Sequence, residues 1–338
     1  MDQKRFAEID LLRTVIIISA FILHYDLRIG LGVLVAPSLF ISRYIFTVGG
    51  FFFFVAGYMA RNVYLPRFAK DPTGTSRRIF FKGLKILLIY LSYVLLMRVV
   101  TGATIPDNLI AFIFDHNLTM KILFTFSFLF MLTPLILYCA TNYNKSFIAM
   151  AIALFIGILF YDSAWPIAFE IKILFIDRTL SAYPLIPALT VYAFGYLAGI
   201  CDKQFFHRIS RAQGAIIGLA LLGTYALSWH YGLMRNWKCF TLIESITPYL
   251  MILLARKILS WTSVKKYLLH PNSVRIGVNS LSFYVISNIL VGLLQLTHHS
   301  PVTLKLIAFA TTGGMAFLVT YWYSNSSLYV HSLTKRTA

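Results

Sequence analysis

The chain has 338 residues, of which 59% are hydrophobic, 16% aromatic and only 12% charged, with a formal net charge of +18. A water-soluble globular domain carries about twice that share of charged side chains, so the composition excludes one and points to the membrane. It also argues against a nucleic-acid partner, because no basic, aromatic-studded soluble domain is present to hold one.

Apolar runs recur along the whole length. Ten can be drawn, at 9–29, 40–60, 79–98, 121–140, 147–161, 186–201, 213–232, 240–256, 277–297 and 303–325. Those at 147–161 and 186–201 are short for a hydrocarbon core of ~30 Å. The first is not read as a cleavable signal, since Asp10 and Arg13 interrupt its start and no small-residue cleavage site follows Asp26. The expectation is an all-α polytopic integral membrane protein. It has one transmembrane domain over 1–338, about ten membrane helices and both termini in the cytoplasm.

Charge sets the orientation. With the N-terminus inside, twenty of the 30 Lys and Arg fall on the cytoplasmic side, nine on the outer side, and Arg13 within the first span. Topology and attraction to anionic lipid account for much of this surplus. Acidic residues lean the other way. Asp26, Asp107, Asp115, Asp162, Glu170, Asp177 and Glu244 fall at or beyond the outer side. Outward carboxylates can hydrogen-bond sugar hydroxyls, although loop solvation is the plainer role for most of them.

In chain order, the first feature with chemistry is the pair Arg13 and His24. His24 follows Arg13 by eleven positions, close to three helical turns, so both lie on nearly one face, roughly 16 Å apart along the axis. An ionisable residue within a membrane span is costly and marks a functional site by default. Asp10, three residues before Arg13, can pair with it and fix its direction. Asp26 follows His24 by two and points away from the imidazole if the helix continues.

The second span closes on Gly49-Gly50-Phe51-Phe52-Phe53-Phe54-Val55-Ala56-Gly57-Tyr58, whose glycines admit a close neighbour or a ligand. A basic loop follows. Arg77 and Arg78 precede the third span, and Lys82 and Lys85 share a face at its start. Such a cluster can take a phosphate-bearing ligand, with Arg offering forked contacts. The positive-inside rule also produces such clusters. Cys139, Cys201 and Cys239 show neither metal spacing nor a disulfide framework and read as packing residues. No His-x3-His or carboxylate pairing suggests a metal site. His116, His230, His298 and His299 read as interfacial, and His207, His270 and His331 as cytoplasmic.

Together these segments resemble the acyltransferase-3 family of transmembrane enzymes. Arg13 and His24 match its Arg-x10-His signature within Ile9-Asp10-Leu11-Leu12-Arg13 to His24. Phe53-Phe54-Val55-Ala56-Gly57-Tyr58 is similar to its Phe-Phe-hydrophobic-Ser-Gly-Tyr/Phe segment, with Ala56 in place of Ser. Phe80-Phe81-Lys82-Gly83-Leu84-Lys85-Ile86 is similar to its basic region, with Lys at two Arg positions. Tyr183-Pro184 through Gly199, and Ile276-Gly277-Val278-Asn279-Ser280 through Tyr284, resemble the related heparan-glucosaminide acetyltransferase branch. One departure stands out. Where many members carry a late His, this chain has Ser287 and Asn288.

The resemblance implies a bacterial inner-membrane O-acyltransferase. It would move an acyl group, usually acetyl, from cytoplasmic acyl-CoA to a hydroxyl of a surface polysaccharide, lipopolysaccharide or lipid-linked glycan at the outer face. Arg13, Arg77, Arg78, Lys82 and Lys85 are then the candidates for the phosphates of acetyl-CoA or another acyl-CoA. His24 with Arg13 carries the chemistry, as a general base or as a transient acyl-histidine. Asp26, Tyr58, Asn279 and Asn288 are the expected substrate contacts. No metal is expected. The alternative is a polytopic transporter or flippase for a glycan precursor, which would have no need of acyl-CoA.

Overall fold

The computed structural model describes residues 6–30, 50–101, 121–161, 166–168, 171–176, 183–205, 210–230, 237–261, 268, 276–294 and 302–326. Among them there is no strand. The helices are α1 (Ala7–Ile29), α2 (Phe51–Met59), α3 (Leu65–Phe68), α4 (Pro72–Thr101), α5 (Lys121–Asn142) and α6 (Asn144–Phe160). They continue with α7 (Leu185–Phe205), α8 (Arg211–His230), α9 (Trp237–Leu259), α10 (Ser280–Leu294) and α11 (Val302–Ser326). Short π-helical turns occupy Ala60–Tyr64 and Lys172–Ile176. The described part of each of the ten apolar runs falls largely on a helix; residues 40–49, 231–232 and 295–297 of those runs lie outside the described residues.

Among the described residues, four helices are long and apolar enough to cross a membrane: Pro72–Val100, Lys121–Asn142, Trp237–Leu259 and Thr303–Trp322. Their surfaces expose large apolar side chains, including Leu88 and Val99 on α4, Leu135 on α5, and Leu318 and Trp322 on α11. In water such a surface would be an aggregation or docking patch. Against lipid tails it is solvated, because the helix backbone satisfies its own polar groups.

The chain gathers into two compact units, Met1–Ile45 with Met251–Ala338, and Phe46–Leu250, with the boundary inside α9. In the first, α1 packs on α10 and α11, and α10 on α11. Phe21 of α1 stacks on Phe309 with ring centroids at 5.3 Å and meets Phe283 edge-on at 6.2 Å. Such ring pairs add about 0.5–1.5 kcal/mol each beyond their buried area. Gly30, in the left-handed conformation at φ +68°, ends α1, and its N–H donates to the Asp26 carbonyl. The Tyr25 hydroxyl donates to the Lys305 carbonyl at 2.7 Å, and Lys305 Nζ donates back to the Gly30 carbonyl at 3.2 Å. These two bonds tie the end of α1 to the start of α11.

In the second unit, α4 lies along α5 and α2 lies along α7. The α2–α7 contact is unusually close, and the reason is reciprocal. A Cβ on Gly57 would stand 1.8 Å from the Tyr192 carbonyl oxygen, and one on Gly195 would stand 2.0 Å from that of Phe54. Only glycine lets the two backbones approach so far. The π-helical turn after α2 packs on the same helix, with Arg61 and Asn62 against Gly199.

Candidate functional site

Ala7–Ile29 is one unbroken helix, so Arg13 and His24 do share a face of a single element. Both are half-buried. The Arg13 guanidinium lies 3.8 Å from a carboxylate oxygen of Asp10, within ion-pair range but beyond a hydrogen bond. Asp10 itself is buried, at 8% exposed. Two residues closer to the N-terminus than Asp10, Glu8 accepts two hydrogen bonds from Arg256, from Nη2 at 3.0 Å and Nε at 3.2 Å. The cytoplasmic-side cations counted from the sequence therefore include one that fastens α1 to α9.

The backbone of Ile276-Gly277 docks on this stretch of α1. The Gly277 N–H donates to the Thr14 hydroxyl oxygen at 2.9 Å, and that hydroxyl donates to the Asp10 carbonyl at 3.0 Å. A Cβ on Gly277 would stand 1.9 Å from the Asp10 oxygen, so the glycine is required by the approach. This contact leads directly into α10, which carries the next partner.

Three turns along, His24 Nδ1 lies 2.9 Å from Oδ1 of Asn288 on α10. The Asn288 amide is anchored in turn, its Nδ2 donating to the Tyr284 carbonyl one turn back at 2.8 Å. The Tyr284 ring meets the imidazole edge-on, with centroids at 5.8 Å. Asn288 is 2% exposed and Ser287 1%. Ser287, the other residue at the late-His position, donates its hydroxyl to the Tyr284 carbonyl at 3.1 Å. Of the residues singled out from the sequence, Arg13, His24 and Asp26 thus lie on α1 and Asn288 on α10, with Asn279 just before α10, all in one unit.

The others are placed as follows. Helix α1 continues through Ile29, which puts Asp26 about 200° around the axis from His24. Tyr58 is fully buried beside the α2–α7 crossing. Arg77, Arg78, Lys82 and Lys85 belong to the second unit, exposed on the first turns of α4. Arg78, Lys82 and Lys85 form one stripe at i, i+4 and i+7. Lys82 Nζ sits 4.6 Å from the centre of the Phe130 ring, and Arg77 5.8 Å from that of Phe81. Cys139 and Cys239 are half-buried and Cys201 exposed. Among the outer carboxylates, Glu244 is buried and accepts a hydrogen bond from the Gly50 N–H at 3.1 Å. Asp107, Asp115, Asp162, Glu170 and Asp177 lie outside the described residues. So do His116, His207, His270, His298, His299 and His331.

Sequence reasoning weighed Asn288 as a substrate contact and did not see it as the partner of His24, 264 positions away. The available signal was the amide at the late-His position. Comparison with family models, with characterised proteins and with solved structures gives no match to this chain.

Proposed function

We propose that this protein is a membrane O-acyltransferase of the acyltransferase-3 type. It moves an acyl group, acetyl in the simplest case, from cytoplasmic acyl-CoA to a carbohydrate hydroxyl at the outer face of a bacterial inner membrane. The observation that carries the reading is α1. One helix holds a cation at one end and, three turns on and on the same face, an imidazole oriented by a buried amide.

The chemistry follows from those groups. Arg13 offers a fixed charge to a phosphate or thioester oxygen of the donor. The stripe of Arg78, Lys82 and Lys85, with Arg77 beside it, offers phosphate contacts at the basic loop. His24 takes the proton from the acceptor hydroxyl as its oxygen bonds to the acyl carbon. The carbon–sulfur bond breaks, and the same proton passes to the departing thiolate. An ester and free CoA result, and the imidazole is regenerated. Ten spans with both termini in the cytoplasm complete the proposal, placing the Arg13 end of α1 toward the donor and the His24 end toward the acceptor.

Mass spectrometry of surface glycans from cells with and without the gene tests this reading. The expected result is a loss of one acyl unit per modified sugar in the deletion, restored by the wild type and not by His24→Ala inserted at equal level. Full acylation with His24→Ala would overturn the mechanism. Glycans that lose surface abundance but keep their acylation would instead favour a glycan transporter.

A further inference from the structure

His24 has two ring nitrogens, and acyl transfer needs to know which one works. A neutral imidazole carries its proton on one nitrogen and a lone pair on the other, and the partner of one fixes the role of both. Here that partner is an amide whose own orientation is fixed independently. Asn288 Nδ2 lies 2.8 Å from the Tyr284 carbonyl oxygen, a group that can only accept. Turning the amide over would set two acceptor oxygens against each other at that distance. Oδ1 must therefore face His24, and at 2.9 Å from Nδ1 it too can only accept. The proton belongs on Nδ1.

We propose that Asn288 is the positioning residue that holds His24 in its Nδ1–H tautomer, which assigns Nε2 as the nitrogen that exchanges the substrate proton. The tautomer rests on the hydrogen-bond chain from His24 through Asn288 to Tyr284; what Nε2 does with its lone pair rests on the acyl-transfer reading above. In the reaction Nε2 takes the hydroxyl proton while the new carbon–oxygen bond forms. It then returns that proton to the thiolate released by carbon–sulfur cleavage. Nδ1 keeps its proton throughout, because an amide oxygen is no base. The same assignment holds for a covalent route, in which Nε2 and not Nδ1 would carry the acyl group.

Three further features favour a dedicated positioning role. Asn288 is 2% exposed, so water does not compete for its oxygen. The Tyr284 ring edge limits rotation of the imidazole. And α10 is docked on α1 through Gly277, which fixes the depth at which Asn288 meets His24. An amide here does the orienting work that a carboxylate does in a Ser-His-Asp triad, without adding a second charge within the membrane.

The test is solid-state NMR of the full-length protein in bilayers, with histidine labelled in nitrogen and carbon. The His24 signals are identified by their absence in His24→Gln. The expected spectrum shows His24 with Nδ1 protonated and Nε2 bare. Asn288→Leu should move it to the Nε2–H form or a mixture and lower kcat by about 10- to 100-fold, the usual cost of losing the partner that orients a working histidine. KM for acyl-CoA should stay within about twofold. Asn288→Asp keeps an oxygen facing Nδ1 and should retain the tautomer, while its second oxygen meets the Tyr284 carbonyl in place of a donor, so kcat is not preserved. A wild-type spectrum with Nε2 protonated would overturn the proposal, and so would an unchanged tautomer in Asn288→Leu. The wild-type spectrum decides it even if that variant fails to fold. If the tautomer is as expected but the wild type transfers no acyl group, the functional reading falls and the tautomer assignment stands.

Discussion

Arg13 and Glu244 are two charged residues within apolar helices, and their surroundings ask different things of them. Arg13 is half-buried, with its guanidinium 3.8 Å from the Asp10 carboxylate, and it offers a fixed charge on the face of α1 that also carries His24. Arg13→Ala should raise KM for acyl-CoA about tenfold or more, the loss expected for a charge-assisted contact, with a smaller change in kcat. An unchanged KM would remove Arg13 from donor binding. Glu244 is 1% exposed and receives the Gly50 N–H just before α2 begins, where the helix dipole also favours negative charge. Glu244→Ala leaves that donor without its acceptor and should cost about 1–3 kcal/mol of stability. Glu244→Gln keeps an acceptor and should cost less. Thermal unfolding in detergent separates the two. The charge of each residue could be read from the chain, and so could the Asp10 partner of Arg13, three positions away, but not the partner of Glu244. Glu244 looked like one more outer carboxylate until its contact with Gly50, 194 positions away, was known.

At the scale of elements, glycines at helix crossings contrast with those in open space. Those at 57, 195 and 277 are pressed against backbone of a neighbouring helix, at 1.8, 2.0 and 1.9 Å for an added Cβ. Gly218 on α8 has open space around it. Gly57→Ala, Gly195→Ala and Gly277→Ala should each destabilise by about 1–3 kcal/mol or more, since neither backbone can move aside cheaply. Gly218→Ala should be neutral or stabilising by up to about 1 kcal/mol, through helix propensity alone. Size-exclusion profiles after graded heating check all four; equal losses would mean that the close crossings are not as described. The helices themselves were legible. The apolar runs at 121–140 and 303–325 become Lys121–Asn142 and Val302–Ser326, and the run at 79–98 lies within Pro72–Thr101. The π-helical turn at Ala60–Tyr64 was not, because it breaks no hydrophobic pattern.

For the whole molecule, the count of Lys and Arg gives a sidedness that can be checked directly. In a background without native cysteines, Lys70→Cys and Ser260→Cys should react with a membrane-impermeant reagent only from the cytoplasmic side. Thr303→Cys should react only from outside. All three positions are exposed. Labelling of 260 and 303 from the same side would mean that α10 does not cross. That helix is the critical one, since its 15 residues span only about 22 Å.

The sequence by itself determined the medium and the material: an apolar, helical chain with a basic surplus, and Arg13 aligned with His24 along one helix. Those properties are local, because composition and a 3.6-residue period need no knowledge of neighbours. Tertiary structure decided everything that depends on which helix faces which. It joined His24 to Asn288, Gly277 to Asp10 and Thr14, and Gly57 to Tyr192. It also divided the chain into two units with the boundary inside α9. The physical reason is that lipid rewards any apolar face alike, so the hydrophobic pattern does not choose helix partners. Close glycine contacts and a few buried hydrogen bonds choose them, and these form only between residues far apart in the chain.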